Sequence, residues 1–221
     1  MTDAALSAPS DLPVDGPELA SLIAAKLCHD FISPSGAIMS GLDLLDDPTA
    51  QDLRDDAMSL IADSARKMVA LVQFCRVAFG AATTAERFTG AELTALVDAV
   101  VAGGRATLAW NLGEGDLDKP QARALVNLAW LTVGALPMGG TATVAVRHEG
   151  AQLVIEGLAE GARARLKAEA ATGLAGRRLV EGLAGQWIQP YWLWLTVKQA
   201  GGTLAVEAVD GRVSMTVRMP S

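Results

Sequence analysis

From Pro17 to Asp46, apolar side chains recur at threes and fours. Ala20, Ile23, Ala24, Leu27, Phe31, Ile38, Leu42 and Leu45 fall on one side of a wheel drawn at 100° per residue. Pro17 in the first turn, followed by Glu18, is a helix start signal, and Asp47-Pro48 is a stop. A second helical pattern runs from Thr49 to Phe79, with Leu53, Ala57, Leu60, Ile61, Met68, Leu71, Val72, Cys75 and Phe79 on its stripe. Two helices of about 45 Å joined by a short loop make a hairpin. A lone hairpin cannot cover its own stripe, so the pattern predicts pairing with a second copy to form a four-helix bundle about a two-fold axis.

Beyond Gly80–Glu86 the character changes. The pattern predicts a helix over Thr89–Ala102, a strand over Ala106–Asn111 and a helix over Pro120–Leu136. A hairpin of Thr141–Arg147 and Gln152–Gly157 follows, turning at Glu149 and Gly150. One or two short helices between Ala162 and Ala184, a helix over Pro190–Ala200, and a closing hairpin complete the chain. That last hairpin pairs Thr203–Val209 with Arg212–Arg218 around Asp210-Gly211. The fold class read from this order is α + α/β. A polar tail (1–16) precedes a dimerising helical hairpin (17–80), and an α/β sandwich domain (87–221) comes last.

Of the 221 residues, 51% are apolar, which would fit a membrane protein if they were gathered into runs. The longest candidate, Leu125 to Met138, is interrupted by Asn127, Thr132 and Pro137 and falls short of the roughly 20 residues that span a bilayer. The excess apolar surface is instead expected to be buried in the fold and in an oligomer. A net charge of −7, with no basic run longer than two residues, argues against a nucleic-acid partner. The stretch Met1–Gly16 lacks a basic start and an apolar block, so a loose tail and a cytoplasmic protein are expected. Cys28 and Cys75 lie within apolar helical patterns and read as small buried thiols.

The chain has two histidines. His148 adjoins a predicted turn and reads as a solvated loop residue. On the first helix the core stripe lies about 120–220° away from His29, while Leu22, Ala25, Lys26, Ser33, Gly36 and Ser40 lie within about 60° of it. That face is small and mostly polar, and would let another protein approach the imidazole closely. Pro34, five residues on, is unexpected in a helix interior, where proline costs roughly 3 kcal/mol and a backbone hydrogen bond.

The run His29-Asp30-Phe31-Ile32-Ser33-Pro34 resembles the H-box of sensor histidine kinases. A neutral imidazole is a good nucleophile near pH 7, and its phosphorus–nitrogen product stays labile enough to pass on. The resemblance implies that Asp30 accepts a hydrogen bond from one ring nitrogen and leaves the other free for in-line attack. An ordinary polar helix residue is the other reading of Asp30. Lys26 is either a steering charge for an acidic partner surface or a solvated lysine.

The second half resembles the ATP-binding domain of the same kinases, with departures. Leu125-Val126-Asn127-Leu128 and Pro137-Met138-Gly139-Gly140 match the N-box and the turn after it, but Leu131 stands where a magnesium-binding asparagine belongs. The D-x-G-x-G box is Gly157-Leu158-Ala159-Glu160-Gly161, and the G-x-G-L loop is Trp187-Ile188-Gln189-Pro190. Bulky residues thus replace the backbone cradle that holds phosphates. The cluster of Trp187, Tyr191, Trp192 and Trp194 reads as core that plugs the old nucleotide cavity, with a binding platform as the other reading.

An H-box hairpin joined to a degenerate kinase ATPase domain resembles the dimeric histidine phosphotransferases of bacterial cell-cycle phosphorelays. That resemblance implies His29 and Asp30 as catalytic residues and a docking face around them. It implies a donor aspartyl-phosphate on the receiver domain of a hybrid histidine kinase and response regulators as acceptors. Magnesium would come with the receiver, and the chain would need no cofactor of its own. A non-catalytic adaptor that holds response regulators and a divergent ATP-dependent kinase remain as alternatives.

Overall fold

The computed structural model describes residues 14–80 and 85–221. Most of the expected tail, residues 1–13, lies outside the described residues, but Val14–Gly16 do not belong to a tail. Val14 is buried and its N–H donates to the Tyr191 hydroxyl (3.2 Å), and Asp15 caps helix α1 (Gly16–Asp46) by accepting from the Glu18 N–H at 2.8 Å. A 3-10 turn at Gln51–Leu53 leads into α2 (Arg54–Ala78), so the second long helix starts five residues later than the periodicity predicts. Asp47 explains the delay. Its carboxylate accepts from both the backbone N–H and the hydroxyl of Thr49, which holds that residue in a turn.

α1 and α2 pack as an antiparallel pair. A Cβ on Gly41 would lie 2.6 Å from an Ile61 carbon and 3.1 Å from the Ala57 carbonyl oxygen, so Gly41 and the fully buried Ala57 set the close approach. Part of the predicted core stripe is engaged within the chain: Ile23, Leu27, Phe31, Ile38 and Leu45 are half-buried. Ala20, Ala24 and Leu42 are exposed, as are Ile32, Met39, Met58, Val69 and Val72. The intrachain contact face of α1 is therefore rotated from the predicted stripe, because α1 serves two neighbours in the same chain, α2 and α6.

The remainder is a two-layer α/β sandwich. Strands β2 (Ala106–Leu112), β4 (Gly140–Glu149), β5 (Gln152–Glu160), β6 (Thr203–Val209) and β7 (Arg212–Pro220) form a sheet ordered β2-β4-β5-β7-β6. β2 and β4 are parallel and the other neighbours antiparallel. Val213, Met215, Val217 and Met219 of β7 point inward, in alternation with half-exposed or exposed residues. Helices α3 (Gly90–Val101), α4 (Lys119–Gly134) and α6 (Ala184–Gln199) pack on the sheet, and α4 lies centrally, with Ala124–Ala129 entirely buried. A short helix, α5 (Ala168–Leu174), packs on α6. Both α3 and α4 begin with capping boxes, Thr89/Glu92 and Asp118/Gln121.

Two details differ from the sequence reading. A two-stranded ribbon of β1 (Arg87–Phe88) and β3 (Leu117–Asp118) was not predicted, since two-residue strands leave no periodicity. One short helix, α5, occupies the stretch 162–184, within the expectation of one or two. α6 starts at Ala184 instead of Pro190, which sits buried inside it. The helical hairpin and the sandwich share one core: Ala70, Leu71, Phe74 and Ala78 of α2 belong to the same buried cluster as Leu125 of α4 and Ile155 of β5.

Candidate functional site

α1 places His29 with its side chain 85% exposed, and the ring Nδ1 lies 3.3 Å from Asp30 Oδ1. The other carboxylate oxygen, Oδ2, accepts from Lys26 Nζ at 2.7 Å. Exposure falls stepwise along this chain of contacts, from 85% at His29 to 22% at Asp30 and 8% at Lys26. Pro34 has no N–H to donate to the Asp30 carbonyl, and one residue on, the Ser35 hydroxyl donates to the Phe31 carbonyl (2.8 Å). Cys75 of α2 lies behind the pair. Burial pushes its thiol up to about 11, the Asp30 carboxylate adds to the rise, and Lys26 partly offsets it.

His29 and Asp30 open onto a cleft of about 440 Å³ between α1, α2 and α4. Ser33 and Pro34 supply one wall, Ser64 and Lys67 the other, and Trp130 the end. Trp130 is held by Phe74, ring centroids 5.3 Å apart. Ser64, Lys67 and Trp130 were not singled out in the sequence, because only the register between α1, α2 and α4 brings them to His29.

Of the six residues expected around His29, Ala25, Ser33, Gly36 and Ser40 are exposed with it. Leu22 and Lys26 are corrections. Leu22 packs on the cluster of Val14, Trp187, Ile188 and Tyr191, and Lys26 is buried against Asp30 instead of solvated. The wheel considered only the helical bundle around α1, whereas α6 covers the flank on which Leu22 and Lys26 lie. Cys28 is exposed, contrary to its expected burial. His148 is exposed as expected, although it sits on β4 with Nδ1 3.2 Å from the Ser221 hydroxyl.

The residues that resemble nucleotide motifs in the sequence are packed against their neighbours. Gly157 stands in place of the adenine-reading aspartate, and even a Cβ there would collide with the Thr132 hydroxyl and approach Leu128 to 2.6 Å. The glycines that survive, Gly139, Gly140 and Gly161, lie backbone to backbone, and a Cβ on Gly161 would be 2.7 Å from the Gly139 carbonyl oxygen. Asn127 donates to the carbonyls of Ala78 and Arg123 (2.8 and 2.9 Å) and accepts from Gln189 (3.1 Å). Trp187 and Tyr191 stack at 4.5 Å, buried against Leu19, Leu22 and Ile23 of α1. The aromatic cluster is core, as expected, and that core joins the sandwich to the helical hairpin. Trp192 does the same at the other long helix, donating from its indole N–H to the Ala78 carbonyl (2.7 Å). Among the described residues, no group of three or more His, Cys, Asp and Glu is placed to hold a metal ion, and no helix is long and apolar enough to cross a membrane.

Comparison with known proteins agrees with this arrangement. The family described as "Histidine phosphotransferase C-terminal domain" matches residues 90–212. The protein phosphotransferase ChpT of Brucella abortus (strain 2308) is 32% identical over 196 residues, covering 86% of this chain and 90% of that protein. A solved structure of a bacterial phosphotransferase superposes with a TM-score of 0.82 at 26% identity, covering 93% of this chain and 98% of that one. The family match and the curated relative define a phosphotransferase. More particularly, the chain belongs to the histidine phosphotransferase family, and it serves a phosphorelay.

Proposed function

We propose that His29 is the phosphoryl carrier, that the donor is the aspartyl-phosphate of a receiver domain on a hybrid histidine kinase, and that the acceptors are aspartates of response regulators. The observation that carries this reading is the 85% exposed imidazole whose Nδ1 faces Asp30 Oδ1 at 3.3 Å. With the proton on Nδ1, the lone pair on Nε2 points outward. It attacks the receiver phosphorus, the phosphorus–oxygen bond to the aspartate breaks, and that carboxylate leaves with the electron pair. The ring then holds the phosphoryl group on Nε2 and its proton on Nδ1, and the Asp30 carboxylate stabilises the resulting cation. Transfer to a second receiver reverses these steps.

The exposed Ala25, Ser33, Gly36 and Ser40, with the exposed Lys67 across the cleft, make up the proposed docking face. Magnesium comes with the receiver and this chain needs no cofactor. ATP is not the phosphoryl source, a reading supported by the filled positions at Gly157, Trp187 and Pro190. The working unit is a homodimer, supported by the exposed apolar side chains Ile32, Met39 and Leu42 on α1 and Met58, Val69 and Val72 on α2. The setting is cytoplasmic, in a bacterial cell-cycle phosphorelay.

The test incubates the protein with a purified, phosphorylated receiver and follows the label. Label is expected to leave the receiver and appear on the wild-type chain. Transfer that persists in His29→Gln would overturn the proposal, and binding of receivers that is indifferent to His29 with no transfer would favour an adaptor.

A further inference from the structure

We infer that Lys26 is a positioning residue for phosphoryl transfer, acting through Asp30 on the tautomer of His29. The inference rests on the reading of His29 as the phosphoryl carrier and extends it by one residue. A carboxylate beside an imidazole can present either oxygen and can turn about its Cβ–Cγ bond. Lys26 removes that freedom. Its ammonium holds Oδ2 at 2.7 Å, which leaves Oδ1 at 3.3 Å from His29 Nδ1. An Nδ1–H that donates to a fixed carboxylate selects the tautomer whose Nε2 lone pair faces solvent.

The position of Lys26 favours this role over a surface one. Only 8% of its side chain is exposed, and the space beside it is lined by Trp130 of α4 and by Gln186, Gln189 and Pro190 of α6. Shielded from water, the ion pair holds its geometry better than an exposed i,i+4 pair would. The sandwich domain thereby has a part in the chemistry without touching the phosphoryl group: α6 covers Lys26, Lys26 fixes Asp30, and Asp30 orients His29. A buried lysine also cannot steer a partner, so the effect of its loss should fall on the chemical step and not on docking.

Two variants separate charge from bulk: Lys26→Met keeps the aliphatic stem, and Lys26→Arg keeps the cation. With two histidines in the chain, the nitrogen-15 ring shifts of His29 are assignable once His148→Asn removes the other signal. In Lys26→Met, the Nδ1–H tautomer of His29 should lose its dominance. The maximal rate of transfer from a phosphorylated receiver should fall about tenfold, at an unchanged half-saturating receiver concentration. Lys26→Arg should restore most of both, and in an Asp30→Asn background Lys26→Met should add little. A folded Lys26→Met protein with wild-type tautomer and rate would overturn the inference, as would a rise in half-saturating concentration with the tautomer unchanged. If Lys26→Met does not fold, Lys26→Gln is measured in its place against the same outcomes. Failure of the wild-type chain to accept label at all would instead overturn the reading of His29, while the tautomer measurement still decides the role of Lys26.

Discussion

Asn127 donates an amide hydrogen to the carbonyl of Ala78 at 2.8 Å, fastening the central helix of the sandwich to the end of the hairpin's second helix. The same amide donates to Arg123 and accepts from Gln189, and its side chain is wholly buried. Asn127 thereby braces the joint between the two halves. Asn127→Ala removes three hydrogen bonds and leaves the Gln189 amide without its acceptor, so unfolding free energy should drop by about 2–3 kcal/mol. Urea denaturation followed by far-ultraviolet circular dichroism measures this.

Gly157→Ala is expected to destabilise by about 1–3 kcal/mol, because the added methyl meets the Thr132 hydroxyl and Leu128. Gly157→Asp, which restores the aspartate of an active nucleotide site, should be worse and should not restore nucleotide binding. Thermal unfolding with and without ATP distinguishes the two readings: a destabilised protein with no nucleotide-dependent shift is the expected result.

Much of this architecture was legible in the sequence, for reasons that particular residues make clear. The two long helices followed from apolar spacing, and the closing hairpin from Asp210-Gly211, where Gly211 has φ of 73°. The exposure of His29 followed from the wheel. The inward turn of Lys26 and Leu22 did not, because it depends on α6 lying across α1, where Trp187, Ile188 and Tyr191, distant in sequence, pack against Leu22 and Ile23. The start of α6 was misjudged for a related reason. Pro190 reads as an N-terminal signal, yet the turn before it is stabilised by burying Trp187 and Ile188 against α1. Ser64, Lys67 and Trp130 carry no local signature and reach the cleft through helix register alone.

Charging the exposed apolar face should split the proposed dimer. Met58→Glu combined with Val69→Glu places two carboxylates where the second copy is proposed to pack. Light scattering should then report a single chain of 22.9 kDa, against twice that mass for the wild type.

The Cys75 thiol sets a dependence on alkaline pH. Its folded-state value is raised from 9.0 to about 11, chiefly by burial, so between these two the unfolded chain loses the proton that the folded chain retains. Stability contributed by the neutral thiol is therefore fully present below pH 9 and declines as the pH approaches 11. Cys75→Ala should lack this component. Comparing denaturation midpoints of the two proteins across that range measures the difference, and parallel curves would contradict it.

The central claim concerns one atom, Nε2 of His29. Mapping the phosphoryl group by mass spectrometry, at neutral pH after transfer from a phosphorylated receiver, tests it most directly. The predicted result is a single phosphorylated site at His29, labile in acid and lost in His29→Gln. Label on another residue, or undiminished label in that variant, would contradict the account.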